Sequence, residues 1–460
     1  MFRRIICVAL LLTFSWLLPA AADTWKLDGT LVTPEAIVAG GTVVITDQLI
    51  SDVGVNLPIP PNARPIPVTG IVLPGLIDLH NHITWNALPR WHPPQKYLDR
   101  YEWQELPEYD RVLRSPWYNL MTGGLACELD LFAEVKALIG GATSIVGSDG
   151  RSAPCANGLV RNLDLRPDFP PYPSGSKNCP GDSTAFPPGA PNVVISEVFP
   201  LQTPDERIAY YKCELENGRL RSFIVHLGEG TDASARREFL MLKGRNLLLP
   251  HMAIVHGTAL GATEFADMAA NHMGLVWSPR SNLELYGVTT NIPAALQARV
   301  SIALAPDWSP TGSAGMLQEL NFAAGTFRYL SPQQLVSMVT SAPAQIARLD
   351  DRIGKLVKDQ YADILVIRDR PGAHTAYETV TTATPADIQL ILVGGRPVYG
   401  DYDLMQKIVS SHAALVEISV CGTRKVVDFE KIGYKWDDIL KKLSSALSRY
   451  GTSISTFECG

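Results

Sequence analysis

Two histidines one residue apart, His80 and His82, close an apolar, strand-forming run that begins at Gly70 and ends at Leu79. In an extended strand residues i and i+2 point to the same side, so both imidazoles can grip one cation. The same arrangement, a polar residue straight after an apolar run, recurs three times. Phe223-Ile224-Val225 ends in His226, Ala253-Ile254-Val255 in His256, and Ile302-Ala303-Leu304-Ala305-Pro306 in Asp307. Imidazoles joined by one carboxylate are the donors of a catalytic zinc site, and iron or manganese accepts similar ligands. Each residue alone has an ordinary explanation: a buried or surface histidine, or an aspartate opening the turn-rich stretch Trp308-Ser309-Pro310-Thr311-Gly312-Ser313. Their joint occurrence at strand ends points to a metal centre. His92, His251, His272, His374 and His412 lack that setting and are not expected to be ligands.

Such residues must be brought together by the fold. Candidate strands lie at Leu73 to His80, Ala142 to Gly147, Gly158 to Leu163, Val193 to Val198, Phe223 to His226, Ala253 to His256, Gly274 to Ser278 and Ser301 to Asp307, with helical stretches between them. Strands alternating with helices imply parallel βαβ units, and a closed parallel barrel gathers the C-terminal ends of its strands around one mouth. The segment 71–350 has the length such a barrel needs, roughly 250 residues with room for insertions. The expected class is therefore α/β, a (β/α)8 barrel.

Five motifs in order, Pro74-Gly75-Leu76-Ile77-Asp78-Leu79-His80-Asn81-His82, His226-Leu227-Gly228-Glu229, Val255-His256-Gly257, Ser278-Pro279-Arg280-Ser281-Asn282 and Asp307, resemble those of the amidohydrolase superfamily. The similar branch contains cytosine deaminase, guanine deaminase, imidazolonepropionase and the triazine hydrolases. The resemblance covers nearly the whole mature chain. It implies that His80, His82, His226 and Asp307 hold one divalent metal ion, zinc being expected and Fe2+ or Mn2+ alternatives, which lowers the pKa of water to near neutrality. It further implies that Glu229 carries the proton from that water to the leaving nitrogen, and that His256 stabilises developing negative charge on the substrate. Asp307 is then both ligand and catalytic group. Arg280 and Asn282 stand where the family often touches substrate, although Ser and Asn also simply form turns. Two-metal members bridge their ions with a carboxylated lysine or a glutamate after strand 4; only Glu197 stands there, so a single metal is expected.

The resemblance also implies that the chain ends, 23–70 and 351–403, form one small β-sandwich beside the barrel. The expected activity is hydrolysis of a non-peptide C–N bond in a small cyclic amide, amidine or related heterocycle. Deamination of a purine, pyrimidine or triazine is the alternative. A catalytically silent binding protein is a third reading, disfavoured because every expected catalytic side chain is present.

Residues 1–22 read as an export leader: Arg3 and Arg4 are the basic start, Ile5 to Leu18 the apolar run, and Ala20-Ala21-Ala22 the cleavage site before Asp23. The run falls short of the roughly 20 residues of a spanning helix, so a periplasmic or secreted product cut near Ala22 is expected, without a membrane span. Loss of Arg3 and Arg4 takes the formal net charge from −6 to −8, which excludes nucleic acid as a favoured partner and leaves a small-molecule substrate, with homo-oligomerisation open. Cys7 leaves with the leader. Cys127, Cys155, Cys179, Cys213, Cys421 and Cys459 remain, an even number that permits disulfides in fifteen full pairings.

Three further segments stand out. The Pro/Gly-rich insert near 151–192 is expected to overhang the barrel mouth as a lid. Ser331-Pro332-Gln333-Gln334 reads as a capped helix start, with Leu335, Met338, Val339 and Ala342 forming its buried stripe. Residues 404–460 form a C-terminal extension, in which Asp437 to Tyr450 reads as an amphipathic helix with Ile439, Leu440, Leu443 and Leu447 inward.

Overall fold

A computed structural model describes residues 23–459 apart from 153, 157, 166–168, 171–177, 181–192, 371, 373 and 374. The expected export leader and most of the expected lid lie outside the described residues. Eight parallel strands follow one another along the chain: β1 (Leu76–Asp78), β2 (Ala142–Ile145), β3 (Arg161–Asn162), β4 (Val193–Glu197), β5 (Leu220–Leu227), β6 (Met252–His256), β7 (Gly274–Trp277) and β8 (Ser301–Leu304). β1 to β3 form one parallel sheet and β4 to β8 another, each in sequence order. Backbone hydrogen bonds cross both gaps between these sheets. Val194 N donates to Leu163 O at 3.1 Å, His82 N to Asp307 O at 2.9 Å and Asp307 N to His80 O at 3.1 Å. Every residue of β2, β6 and β7 is buried, as expected of parallel strands covered on both faces.

The apolar run from Gly70 to Leu79 is not one strand, which corrects the reading of its first element. Gly70–Pro74 pairs with Thr24–Val32 and Ile364–Arg368 in a separate sheet, and only Leu76–Asp78 pairs with β2. Gly75 makes the handover. A Cβ there would lie 2.2 Å from the Thr143 side chain, so only glycine fits where the chain crosses between the sheets.

This separate sheet has ten strands drawn from residues 24–74 and 364–428. It brings both chain ends together as expected, but as one continuously hydrogen-bonded sheet. Its outer strands Leu415–Val420 and Thr423–Asp428 come from the presumed extension, which is therefore part of this lobe. Leu27, Val43, Ile45, Val72, Val366 and Leu390 form its core.

Ser331 and Gln334 make the capping box read from the sequence, and Leu335, Met338 and Val339 are buried. That helix stops at Ser337, and a new one, Ser341–Ile346, begins before Ala342. Pro343 has no N–H to give the Val339 carbonyl, so one unbroken helix is disfavoured. The terminal helix, Trp436–Ser448, buries Ile439, Leu443 and Leu447 and leaves Leu440 half-buried. The six cysteines beyond residue 22 pair as Cys127–Cys155, Cys179–Cys213 and Cys421–Cys459.

Candidate metal centre

The strand ends deliver the expected residues to one place. His80 Nε2 lies 3.0 Å from His226 Nε2 and 3.3 Å from Asp307 Oδ1, and His82 Nε2 lies 3.3 Å and 3.5 Å from the same two atoms. Donors bound tetrahedrally to zinc at about 2.0–2.1 Å stand roughly 3.3–3.4 Å apart, so these four spacings are close to edges of such a cage; the ligand atoms lie within 4.8 Å of one another in two overlapping groups, His80 with His82 and Asp307, and His80 with His226 and His256. His92, His251, His272 and His412 do not join it, and His374 lies outside the described residues.

The protein prepares these atoms for a cation. Burial first, and then the neighbouring imidazoles, hold His80 and His226 well below the usual histidine range, and burial brings His82 down to about 4. All three are thus neutral at pH 7, with lone pairs free for a metal. Burial pushes the Asp307 carboxyl well above the usual carboxylate range, opposed by the hydrogen bond from Ser281; a bound cation would favour its ionised form. Ser281 Oγ donates to Asp307 Oδ2 at 2.6 Å, and Ser278 Oγ lies 2.9 Å from His80 Nδ1. Such partners fix the orientation of ligands. His256 and Asp307 both have left-handed backbones, φ 64° and 69°, strain of roughly 1–3 kcal/mol each that is typical of functional sites.

Glu229 and His256 sit beside the cage. Glu229 Oε1 accepts from Tyr286 OH at 2.6 Å, and its Oε2 lies 3.7 Å from His256 Nε2 and 3.8 Å from the Arg100 guanidinium. Trp103 Nε1 donates to the same Tyr286 oxygen at 2.9 Å. His256 Nδ1 faces Asn282 Oδ1 at 2.9 Å, which orients the ring and turns Nε2 toward Glu229.

The two expected substrate contacts are not on the cavity wall. Asn282 is fully buried and acts through His256. Arg280 occupies the first turn of helix Pro279–Tyr286, with its guanidinium 5.8 Å from the Phe322 ring and 3.5 Å from Ser313 Oγ. Glu197 lines the cavity and accepts from Tyr211 OH at 3.1 Å, outside the cluster of metal-ligand atoms.

A cavity of about 600 Å³ opens over the cage and reaches His82, His226, Glu229, His256 and Asp307. Aromatic rings that the motifs did not flag form much of its wall: Trp85, Trp103, Tyr109, Trp117 and Trp308. Trp85 and Trp117 stack at 4.4 Å, and Trp117 Nε1 is fixed by Thr84 Oγ1 at 3.0 Å. Four of the nine tryptophans fall within residues 85–117, the one sequence signal that marks this wall. Asp164 also lines the cavity. Its Oδ2 accepts from Gly147 N and Ser148 N, while its Oδ1 has no partner among the described residues.

A model described as the Amidohydrolase family matches residues 220–398. A protein of Teredinibacter turnerae named 5-methylthioadenosine/S-adenosylhomocysteine deaminase is 24% identical over 392 residues, covering 77% of this chain and 82% of its own. One of the same name from Pyrococcus furiosus is 22% identical over 418 residues, covering 83% and 97%. Among solved structures, the atrazine chlorohydrolase of Arthrobacter aurescens TC1 complexed with zinc superposes with a TM-score of 0.64 at 16% identity, covering 92% of this chain and 99% of its own. Guanine deaminase of E. coli gives 0.62 at 17% identity over 82% and 99%. The class is thus a metal-dependent hydrolase. The matched segment, residues 220–398, resembles the amidohydrolase family, in line with the motifs.

Proposed function

We propose that this protein is a single-metal amidohydrolase that cleaves a non-peptide C–N bond in a flat nitrogen-bearing ring, a small cyclic amide, amidine or related heterocycle. The observation that carries this is the set of 3.0–3.5 Å spacings among His80, His82, His226 and Asp307, facing a cavity walled by aromatic rings. Zinc is the ion proposed, and when bound it would bring the pKa of water near neutrality. The chain's own residues do the rest. Glu229, held by Tyr286, takes a proton at Oε2 and returns it to the leaving nitrogen. His256, aligned by Asn282, presents Nε2 to the oxygen or ring nitrogen on which negative charge develops. The stacked wall offers flat faces to a ring.

The relatives' names favour a second reading, deamination, in which the same groups expel ammonia from an amino-substituted purine, pyrimidine or triazine. Metal-loaded protein incubated with cyclic amides and aminated heterocycles, with product mass and ammonia both measured, separates the two. Ring opening without ammonia supports the first, ammonia release the second, and no metal-dependent product from either set contradicts both.

The hydrogen bonds across both sheet gaps support closure of β1 to β8 into one (β/α)8 barrel. Three disulfides support an exported, periplasmic or secreted location, since such bonds persist in oxidising compartments. Among the described residues no helix is long and apolar enough to cross a membrane.

A further inference from the structure

The C-terminal tail does not trail away from the barrel. Beyond helix Trp436–Ser448 it runs back over the loop that follows β1, pinned at its end by Cys421–Cys459. Ser455 N donates to Ala87 O at 2.9 Å and Ser455 Oγ to Asn86 O at 2.6 Å. Glu458 receives both Arg90 Nε and an Arg90 terminal nitrogen, at 3.3 and 3.0 Å, and its carbonyl accepts from Gln318. Beneath the tail lies Lys136, 3% exposed, whose ammonium spends its three hydrogens on Asn86 O, Ser309 Oγ and Ser455 Oγ at 3.0–3.1 Å.

The Lys136 and Ser455 side chains both meet the carbonyl of Asn86, itself 4% exposed. Its Nδ2 donates to Asn81 Oδ1 at 2.8 Å, and Asn81 stands between His80 and His82. Its Oδ1 accepts from Ser309 N at 2.8 Å, two residues past Asp307. One amide side chain therefore joins the two loops that carry three of the four cage residues, across the β1/β8 gap where His80 and His82 face Asp307. Gly147 closes the other side of Asn81 so tightly that a Cβ there would lie 1.7 Å from the Asn81 carbonyl. Ligand distances in metal sites lie within about 0.2 Å of standard values, so a contact that holds this gap bears on how well the ligands meet an ion.

We propose that Asn86 is a positioning residue for the metal cage, and that the disulfide-tethered C-terminal tail holds Asn86 in its working position. The inference rests on the metal reading above and adds a role to residues far outside the family motifs. It is tested on the full-length exported chain by zinc competition against a chromophoric chelator, with thermal unfolding of the metal-free form read in parallel. Asn86→Ala should weaken zinc binding by about 10- to 100-fold, the usual effect of losing an outer partner of a metal site. Ser455→Ala and removal of residues 452–460 should weaken it in the same direction. Val43→Ala, in the core of the β-rich lobe, should lower the unfolding midpoint and leave zinc affinity unchanged.

A tail that merely covers the barrel would lower the midpoint in all variants and leave zinc affinity at the parent's value in each; that result overturns the proposal. If the truncated chain does not fold, the two point variants decide. A parent chain that binds no zinc overturns the metal reading itself, and this inference with it.

Discussion

Ser281→Ala isolates the contribution of one hydrogen bond to the cage. Ser281 Oγ donates to Asp307 Oδ2 at 2.6 Å, with both residues at 3% exposure or less. The hydroxyl also meets Thr311 Oγ1 at 2.8 Å, so the substitution leaves two buried oxygens short of a partner. A hydrogen bond to an ionised group contributes roughly 1.5–3 kcal/mol, and metal binding needs Asp307 as the carboxylate. If that whole amount is lost from the bound state, affinity falls by about 10- to 100-fold at roughly 1.4 kcal/mol per decade. Chelator competition at neutral pH measures it, with Ser281→Thr, which keeps the hydroxyl, as the matched control. Zinc affinity in Ser281→Ala within about threefold of the parent, in a chain that unfolds normally, would refute the reasoning that Asp307 is a ligand held by Ser281.

Glu229→Gln should keep its full metal content while turnover drops by about 10²–10⁴, the usual yield of a general acid–base group; a variant that lost metal instead would make Glu229 a ligand. Arg100 is 1% exposed, bonds Glu238 at 3.2 Å and the Val198 carbonyl at 2.7 Å, and approaches Glu229. Arg100→Met strands buried carboxylates and should cost about 3–5 kcal/mol in denaturant unfolding, and an unchanged midpoint would show that the pair is not needed. Burial pushes the fully buried Glu319 carboxyl up to about 7, above its unfolded value near 4.5. The folded state therefore holds this proton more tightly, and the associated stability is complete below pH 4.5 and lost as pH rises through 7. Glu319→Gln should match the parent in stability near pH 4.5 and exceed it by about 3 kcal/mol at pH 8; a difference independent of pH contradicts this.

The convergence of the candidate ligands was legible because strand geometry is local. An apolar run fixes a strand, its parity fixes which side chains share a face, and parallel βαβ order brings the ends together, so His80, His82, His226 and Asp307 needed no long-range knowledge. The aromatic wall was not legible in the same way. Trp85, Trp103, Tyr109 and Trp117 sit in the long connection between β1 and helix Ala126–Ile139, in short turns and helices without one hydrophobic period. Arg280 misled because the motif places it in a helical first turn without saying which way that turn faces. The tail was invisible for another reason: Ser455 meets Lys136 and Asn86 across 319 and 369 residues of chain, and nothing in its own neighbourhood announces a partner.

Anomalous diffraction at the zinc edge from crystals of the zinc-loaded chain tests the central claim most directly. One peak is predicted, about 2.0–2.2 Å from His80 Nε2, His82 Nε2, His226 Nε2 and Asp307 Oδ1. A peak elsewhere, or a bound ion lacking Asp307 or His226 among its ligands, would contradict the account.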